Sequence, residues 1–335
     1  MRELTSTVED QLKELTTRRH AAAAEAWGKR RHLLETRDLT PDELRCFLDV
    51  ARACKDAHKA GAPLAVLHGK TVANIFYENS TRTRSSFEVA ARMLGADVLN
   101  LDTKVSSVTK GETIVDTARQ LVAMRVAAIV QRHSSSGSAH LLVRELGDKV
   151  HVLNAGDGWN AHPTQGLLDL LTMTEVRQQL AGLKVAIVGD ITHSRVARSD
   201  IWLLNTFGAN IHVAGPPTLV PPELGTFGVT VHNQLEPAIE GADFIIMLRL
   251  QLERQTQGLI PSIGEYRRLF RLDHHKLKLA SPDVRVMHPG PINRGLEITD
   301  ELADDPYYSL VATQVTNGVA ARMAALYLLL GAEHN

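Results

Sequence analysis

Short apolar runs alternate with helix-forming stretches along most of this chain, and the alternation starts twice. Runs at 72–77, 126–130 and 150–154 are interleaved with helical patterns at 84–94, 112–124 and 164–174. The pattern restarts with a run at 184–188, a helix over 196–207 and further runs at 210–214, 244–248 and 284–287. A long apolar helix then covers 319–330. Strands separated by helices pair in parallel, because a parallel neighbour needs a crossover long enough to hold one. The expected fold is therefore α/β, with two parallel-sheet, three-layer (αβα) domains joined by interdomain helices. A helical extension is expected at 1–30, one domain over 31–177 plus 309–335, and the other over 178–308. Within the extension, residues 8–27 read as a helix, charged early and alanine-rich late, expected to pack on a partner or within its own assembly. Thr40 followed by Pro41 marks the next helix start, a hydroxyl cap ahead of a proline at the first helical position.

Charge narrows the partners. Lys plus Arg is 37 against 38 for Asp plus Glu, so there is no basic excess to draw nucleic acid or an anionic membrane. Any anion must be held by a local cluster. Cys46 and Cys54 are the only cysteines, which excludes a disulfide framework and fits a reducing compartment. The amino terminus has no apolar core of signal-peptide length, no apolar run approaches a membrane span, and Glu3, Glu9, Asp10 and Glu14 argue against a transit peptide. The expectation is a cytoplasmic protein.

Ligands of parallel α/β sheets gather at the carboxyl ends of strands. Ser80-Thr81-Arg82-Thr83-Arg84 stands at such an end and opens a helix. Free backbone N–H groups and the helix dipole favour an anion there, and an arginine adds a permanently charged fork. An ordinary helix cap needs one hydroxyl, not three interleaved with two guanidiniums. Gly189 to Arg195 follows another run but lacks the Gly-x-Gly-x-x-Gly spacing that admits a dinucleotide pyrophosphate. The fifteen histidines lack metal-ligand spacing, and no serine sits in a nucleophile elbow. No metal, cofactor or covalent intermediate is expected.

The stretch from Phe76 to Glu88 resembles the carbamoyl-phosphate signature of the aspartate and ornithine carbamoyltransferases. The resemblance runs in family order from about Arg31 to the carboxyl end. It implies that Ser80, Thr81, Arg82 and Thr83 hold the phosphate, that Arg82 also stabilises leaving-group charge, and that Arg84 is structural. Arg132 corresponds to an arginine contacting carbamoyl phosphate, and His162 and Gln165 to residues meeting its carbonyl oxygen and amide. Pro163 suits the first helical position, which places His162 as the cap. Ser106 and Lys110 match the loop that enters a neighbouring subunit's site, so the resemblance implies a homotrimer with shared active sites. The domain over 31–177 plus 309–335 would bind carbamoyl phosphate, and that over 178–308 the acceptor amine.

Arg249 and Gln251 are two apart after the run 244–248, and in an extended segment they point the same way. An arginine and a neutral amide suit a dicarboxylate, whereas ornithine's side-chain ammonium prefers an acidic partner. Arg195, Arg249 and Gln251, with Lys110, Gly290 and Pro291, match the acceptor residues of the aspartate-specific branch. Met287-His288-Pro289-Gly290-Pro291 stands where ornithine enzymes carry a cysteine-containing motif, and it implies a cis Gly290–Pro291 bond with main-chain carbonyls facing the amine. The implied activity is carbamoyl transfer from carbamoyl phosphate to L-aspartate in pyrimidine (UMP) biosynthesis, with Arg82, Thr83, Lys110, Arg132 and His162 as the catalytic set. No general base for the amine stands out, and the departing phosphate is the expected proton acceptor. Two rivals remain at this point: a carbamoyltransferase for another amine, and a catalytically silent scaffold, which should have lost Lys110 or Arg82. Association with a regulatory chain or a dihydroorotase stays open.

Overall fold

The computed structural model describes residues 2–102, 112–251 and 262–331. Ser106 and Lys110 lie outside the described residues. The chain divides into two compact units, Met1–Leu168 with Thr316–Asn335, and Asp169–Val315.

The first unit holds a five-stranded sheet of β1 (His32–Leu33), β2 (Thr71–Phe76), β3 (Asp97–Asp102), β4 (Ala128–His133) and β5 (His151–Asp157). Its order is β1-β5-β4-β2-β3, and every pair is parallel. All of β5 and nearly all of β2 are buried, so both faces of the sheet are covered, as helical crossovers require. The helices are α1 (Arg2–Glu14), α2 (Ala21–Arg30), α3 (Pro41–Lys59), α4 (Thr81–Met93), α5 (Ile114–Ala123) and α6 (Ser138–Leu146).

The amino-terminal extension packs on its own unit. A π-helical turn at Leu15–Arg19 separates α1 from α2, so the single helix expected over 8–27 is broken in two. Both helices lie against α3, and α2 also meets a π-helical turn at Tyr327–Gly331. Leu12, Ala24 and Trp27 are fully buried. The Trp27 indole donates to the Glu43 carbonyl at 3.0 Å, and Glu9 accepts the Ala65 amide at 2.7 Å. The alanine-rich half does pack, against the body of its own chain.

Helix α3 starts where Thr40-Pro41 predicts. Thr40 and Glu43 form a reciprocal capping box, each side chain accepting the other's backbone N–H. Burial works against charge on Glu43, but the hydrogen bonds from Thr40 and Arg30 outweigh it and hold the carboxyl below its usual range. Cys46 and Cys54 both lie in this helix as buried free thiols.

The second unit repeats the plan. Its strands are β6 (Lys184–Val188), β7 (Asn210–Ala214), β8 (Thr230–His232), β9 (Phe244–Met247) and β10 (Arg285–Met287), in the order β10-β9-β6-β7-β8 and again all parallel. The chain enters this unit inside α7 (Pro163–Val176) and leaves it inside α13 (Val311–Leu326). Between these come α8 (Arg195–Thr206), α9 (Leu235–Ile239), α10 (Ile263–Phe270), α11 (His274–Leu277) and α12 (Asp300–Ala303). Among the described residues no helix is long and apolar enough to cross a membrane.

Candidate active site

Each sheet grows outward in two directions from an inner strand, which creates a topological switch point. From β2 the chain adds β3 on one side and later β4 on the other. From β6 it adds β7, then β9 on the opposite side. Loops leaving the carboxyl ends of the two central strands diverge there and open a crevice for ligand. Ser80 to Arg84 follows β2 and Arg132 lies near the end of β4; Arg195 follows β6 and Arg249 follows β9. Arg82, Arg132, Arg195 and Arg249 therefore stand at the strand ends beside these switch points.

In the first unit, α4 begins at Thr81, three residues earlier than its apolar pattern suggests. Thr81, Arg82 and Thr83 thus form the first turn, whose N–H groups have no carbonyl partner within the helix. Ser80 occupies the cap position, yet its hydroxyl makes no capping hydrogen bond. That is unlike Thr40, Thr113 and Ser194, which all cap. The Ser80 loop is therefore not an ordinary capped helix start, and its geometry suits an external anion. Arg82 and Arg84 are exposed, while Thr83 is buried.

Arg132 is paired in register with Phe76, the last residue of β2, so it flanks the segment that leads to Ser80. Its guanidinium donates to the Ala155 carbonyl at 3.3 Å and reaches Glu78 Oε1 at 3.5 Å. The loop after β5 is organised by Asp157, which is fully buried. Its carboxylate accepts from the Gly137 amide (2.7 Å), the Ala161 amide (3.1 Å) and the Asn154 side chain (2.8 Å). This brings the chain to His162 and Gln165, both buried, at the start of α7. Glu78 and Asp157 are partners that the sequence did not single out by role.

In the second unit, β6 is followed by Gly189 at φ +131°. A Cβ there would lie 3.1 Å from both the Leu248 Cβ and carbonyl oxygen, so the turn requires glycine. Asp190 is buried, accepts from the His193 amide at 3.1 Å and meets the His193 ring at 2.8 Å. Ser194 caps α8, and Arg195 is its first residue, buried at the helix's positive end. A cation placed against the dipole is unfavourable alone, whereas a carboxylate arriving there is attracted by both. After β9, Leu250 is buried between the half-buried Arg249 and Gln251, the alternation of an extended segment. Arg249 Nε reaches Asn293 Oδ1 at 3.5 Å. The Gly290–Pro291 bond is cis, and Gly290 has φ +64°, where a side chain would be strained.

Residues 31–175 match the family model described as aspartate/ornithine carbamoyltransferase, carbamoyl-P binding domain, and residues 181–329 match the corresponding Asp/Orn binding domain. The chain belongs to the aspartate/ornithine carbamoyltransferase family. It is 50% identical over 312 residues to the aspartate carbamoyltransferase catalytic subunit of Thermosynechococcus vestitus, covering 90% of this chain and 94% of that one. The catalytic subunit of Geobacter sulfurreducens is 50% identical over 307 residues, covering 91% and 98%. Among solved structures, aspartate transcarbamoylase from Trypanosoma cruzi in complex with carbamoyl phosphate and aspartate aligns with a TM-score of 0.80 at 29% identity, over 89% of this chain and 96% of that one. Ornithine carbamoyltransferase from Pyrococcus furiosus aligns with a TM-score of 0.79 at 33% identity, over 90% and 97%. Carbamoyltransferases of both acceptor types thus share this fold, and the acceptor must be argued from side chains. Both family matches start after residue 30, so the helices α1 and α2 lie wholly ahead of the matched residues.

Proposed function

We propose that this chain is an aspartate carbamoyltransferase. The α-amine of L-aspartate attacks the carbonyl carbon of carbamoyl phosphate, a C–N bond forms, the C–O bond to phosphate breaks, and N-carbamoyl-L-aspartate and phosphate result. The amine proton leaves with the phosphate. What carries this reading is the pair of switch points: one lined by a hydroxyl- and arginine-bearing helix start, the other by two arginines and a neutral amide.

Ser80, Thr81, Arg82 and Thr83 grip the phosphate, Arg132 and His162 face the carbonyl oxygen with Thr83, and Gln165 takes the carbamoyl amide. Such groups act by orienting the reactants and stabilising charge that grows in the transition state. Arg195 and Arg249 take the two carboxylates of aspartate with Gln251 beside them, and the carbonyls around Gly290 and Pro291 accept from its amine. Ser106 and Lys110 are supplied by a neighbouring subunit of a homotrimer. Residues 31–177 plus 309–335 form the carbamoyl-phosphate domain and 178–308 the aspartate domain. The setting is pyrimidine biosynthesis in the cytoplasm.

The test is a colorimetric ureido assay of the purified full-length chain with carbamoyl phosphate and either L-aspartate or L-ornithine. Product with aspartate alone is expected; product with ornithine alone, or with neither, refutes the reading. Sharing of the site is tested by mixing Arg82→Ala and Lys110→Ala chains under conditions of subunit exchange. Hybrid trimers should recover activity that neither variant has, and no recovery would remove Lys110 from the neighbour's site.

A further inference from the structure

A buried chain of hydrogen bonds runs from α7 to the segments that carry the aspartate-recognising groups, and Gln314 is its central member. Gln314 lies in the first turn of α13 and is buried. Its Oε1 accepts the His288 main-chain N–H at 2.9 Å, and its Nε2 donates to Asp169 Oδ1 at 2.6 Å. A backbone N–H can only donate, so the orientation of the Gln314 amide is dictated by its surroundings. The His288 ring is fixed by the same logic. Its Nδ1 accepts from the Gly290 N–H at 2.8 Å, so the ring proton sits on Nε2, facing Glu297 Oε1 at 3.1 Å. That oxygen also accepts the Asn293 N–H at 2.7 Å. Asn293 closes the path, donating from its side chain to the Leu250 carbonyl at 3.1 Å and meeting Arg249 Nε.

We infer that Gln314 is a positioning residue for aspartate: it holds the Gly290–Pro291 and Arg249–Gln251 segments in register through His288, Glu297 and Asn293. The inference rests on the aspartate reading of this half-site. A single amide does this because each of its two ends has one partner, and burial makes an unmade bond costly. His288 and Glu297 are completely buried, so water cannot replace a lost link.

The test compares Gln314→Leu with Gln314→Glu in the full-length chain. Leucine fills similar volume with neither bond. The introduced carboxyl faces Asp169 from α7, itself coupled to the buried Asp200 of α8, with His288 and Glu297 on the opposite side. The Asp169 carboxylate favours its neutral form, which keeps one donor and one acceptor. Gln314→Leu should raise the KM for aspartate about tenfold, the effect of one buried hydrogen bond. The KM for carbamoyl phosphate should stay within about twofold. Gln314→Glu should stay near the parent at pH 6 and lose aspartate affinity as the pH rises and its carboxyl ionises against Asp169. Should the leucine variant fail to fold, Gln314→Asn, one methylene too short for both partners, carries the same expectation. An unchanged aspartate KM, an equal rise in both KM values, or a Gln314→Glu enzyme as impaired at pH 6 as Gln314→Leu would overturn the inference. An unmodified chain that cannot carbamoylate aspartate overturns the functional reading instead, before any variant is compared.

Discussion

Trp27 lies just ahead of the stretch that matches the family, yet it is fully buried and should behave as a core residue. Its ring packs 5.9 Å from Phe47, its indole N–H serves the Glu43 carbonyl, and the Arg30 guanidinium lies 5.8 Å from its centroid. Burying a tryptophan removes about 200–250 Å² from water, which at about 25 cal/mol per Å² sets an upper value of about 5–6 kcal/mol. Partial collapse of the site brings the expected cost of Trp27→Ala to about 3–5 kcal/mol. Trp27→Phe keeps most of the packing and loses the hydrogen bond, so about 1–2 kcal/mol is expected. Urea unfolding followed by circular dichroism, which does not depend on the deleted fluorophore, would measure both. The transition of the first unit should move to lower urea by amounts in that order. A chain shortened to begin at Arg31 should lose at least as much as Trp27→Ala, since Leu12 and Ala24 go with it. If the alanine variant or the shortened chain unfolds within about 1 kcal/mol of the parent, the extension is not part of the core and the packing argument fails.

Arg82→Ala should lower kcat by about 10²–10³ or more, because the charge it stabilises is greatest in the transition state; near-normal turnover in the steady-state assay would remove it from the site. Arg249→Ala should raise the KM for aspartate about 10–100-fold while carbamoyl-phosphate binding stays largely intact, and equal loss of both would mean the two half-sites are misassigned. The His212 and His232 rings are linked Nδ1 to Nε2 at 2.8 Å. Burial first, then the Lys184 cation and His232, lowers His212 to about 4. The unfolded chain therefore takes up this proton at a higher pH than the folded one. Stability should be intact above about pH 6.5 and fall toward pH 4, by about 1–2 kcal/mol once partial exposure is allowed for. Urea midpoints at pH 7 and 4.5 should show a smaller acid loss in His212→Leu, and an equal loss would exclude the pair as its source.

The strands at 184–188 and 210–214 were legible to the residue because they are dense in branched apolar side chains with turn residues beyond. β3 was not legible. Asp97, Asn100 and Asp102 interrupt its apolar residues, as suits an edge strand, and its pairing with β2 is a tertiary fact. The start of α4 was placed late because its first turn has no apolar residue until Phe87. That same polarity is what made the Ser80–Arg84 segment stand out as a candidate anion site. Asp157 draws its partners from as far back as Gly137, and no local pattern marks it as an organiser. Gln314 is hidden further still, with partners 26 and 145 residues away along the chain. Residues that touch substrate advertise themselves by chemistry in a short motif, while residues that hold the motif in place are visible only after folding.

The two cysteines of α3 have a practical consequence. Burial pushes both thiols up to about 12, with nearby carboxylates adding to the effect at Cys46. At neutral pH only about one molecule in 10⁵ carries a thiolate at either position, and the thiolate is the form that alkylating reagents attack. The chain is therefore a ready-made blank for maleimide chemistry. A cysteine placed at an exposed position such as Glu223 should take a fluorophore or spin label alone, with no native residue removed first.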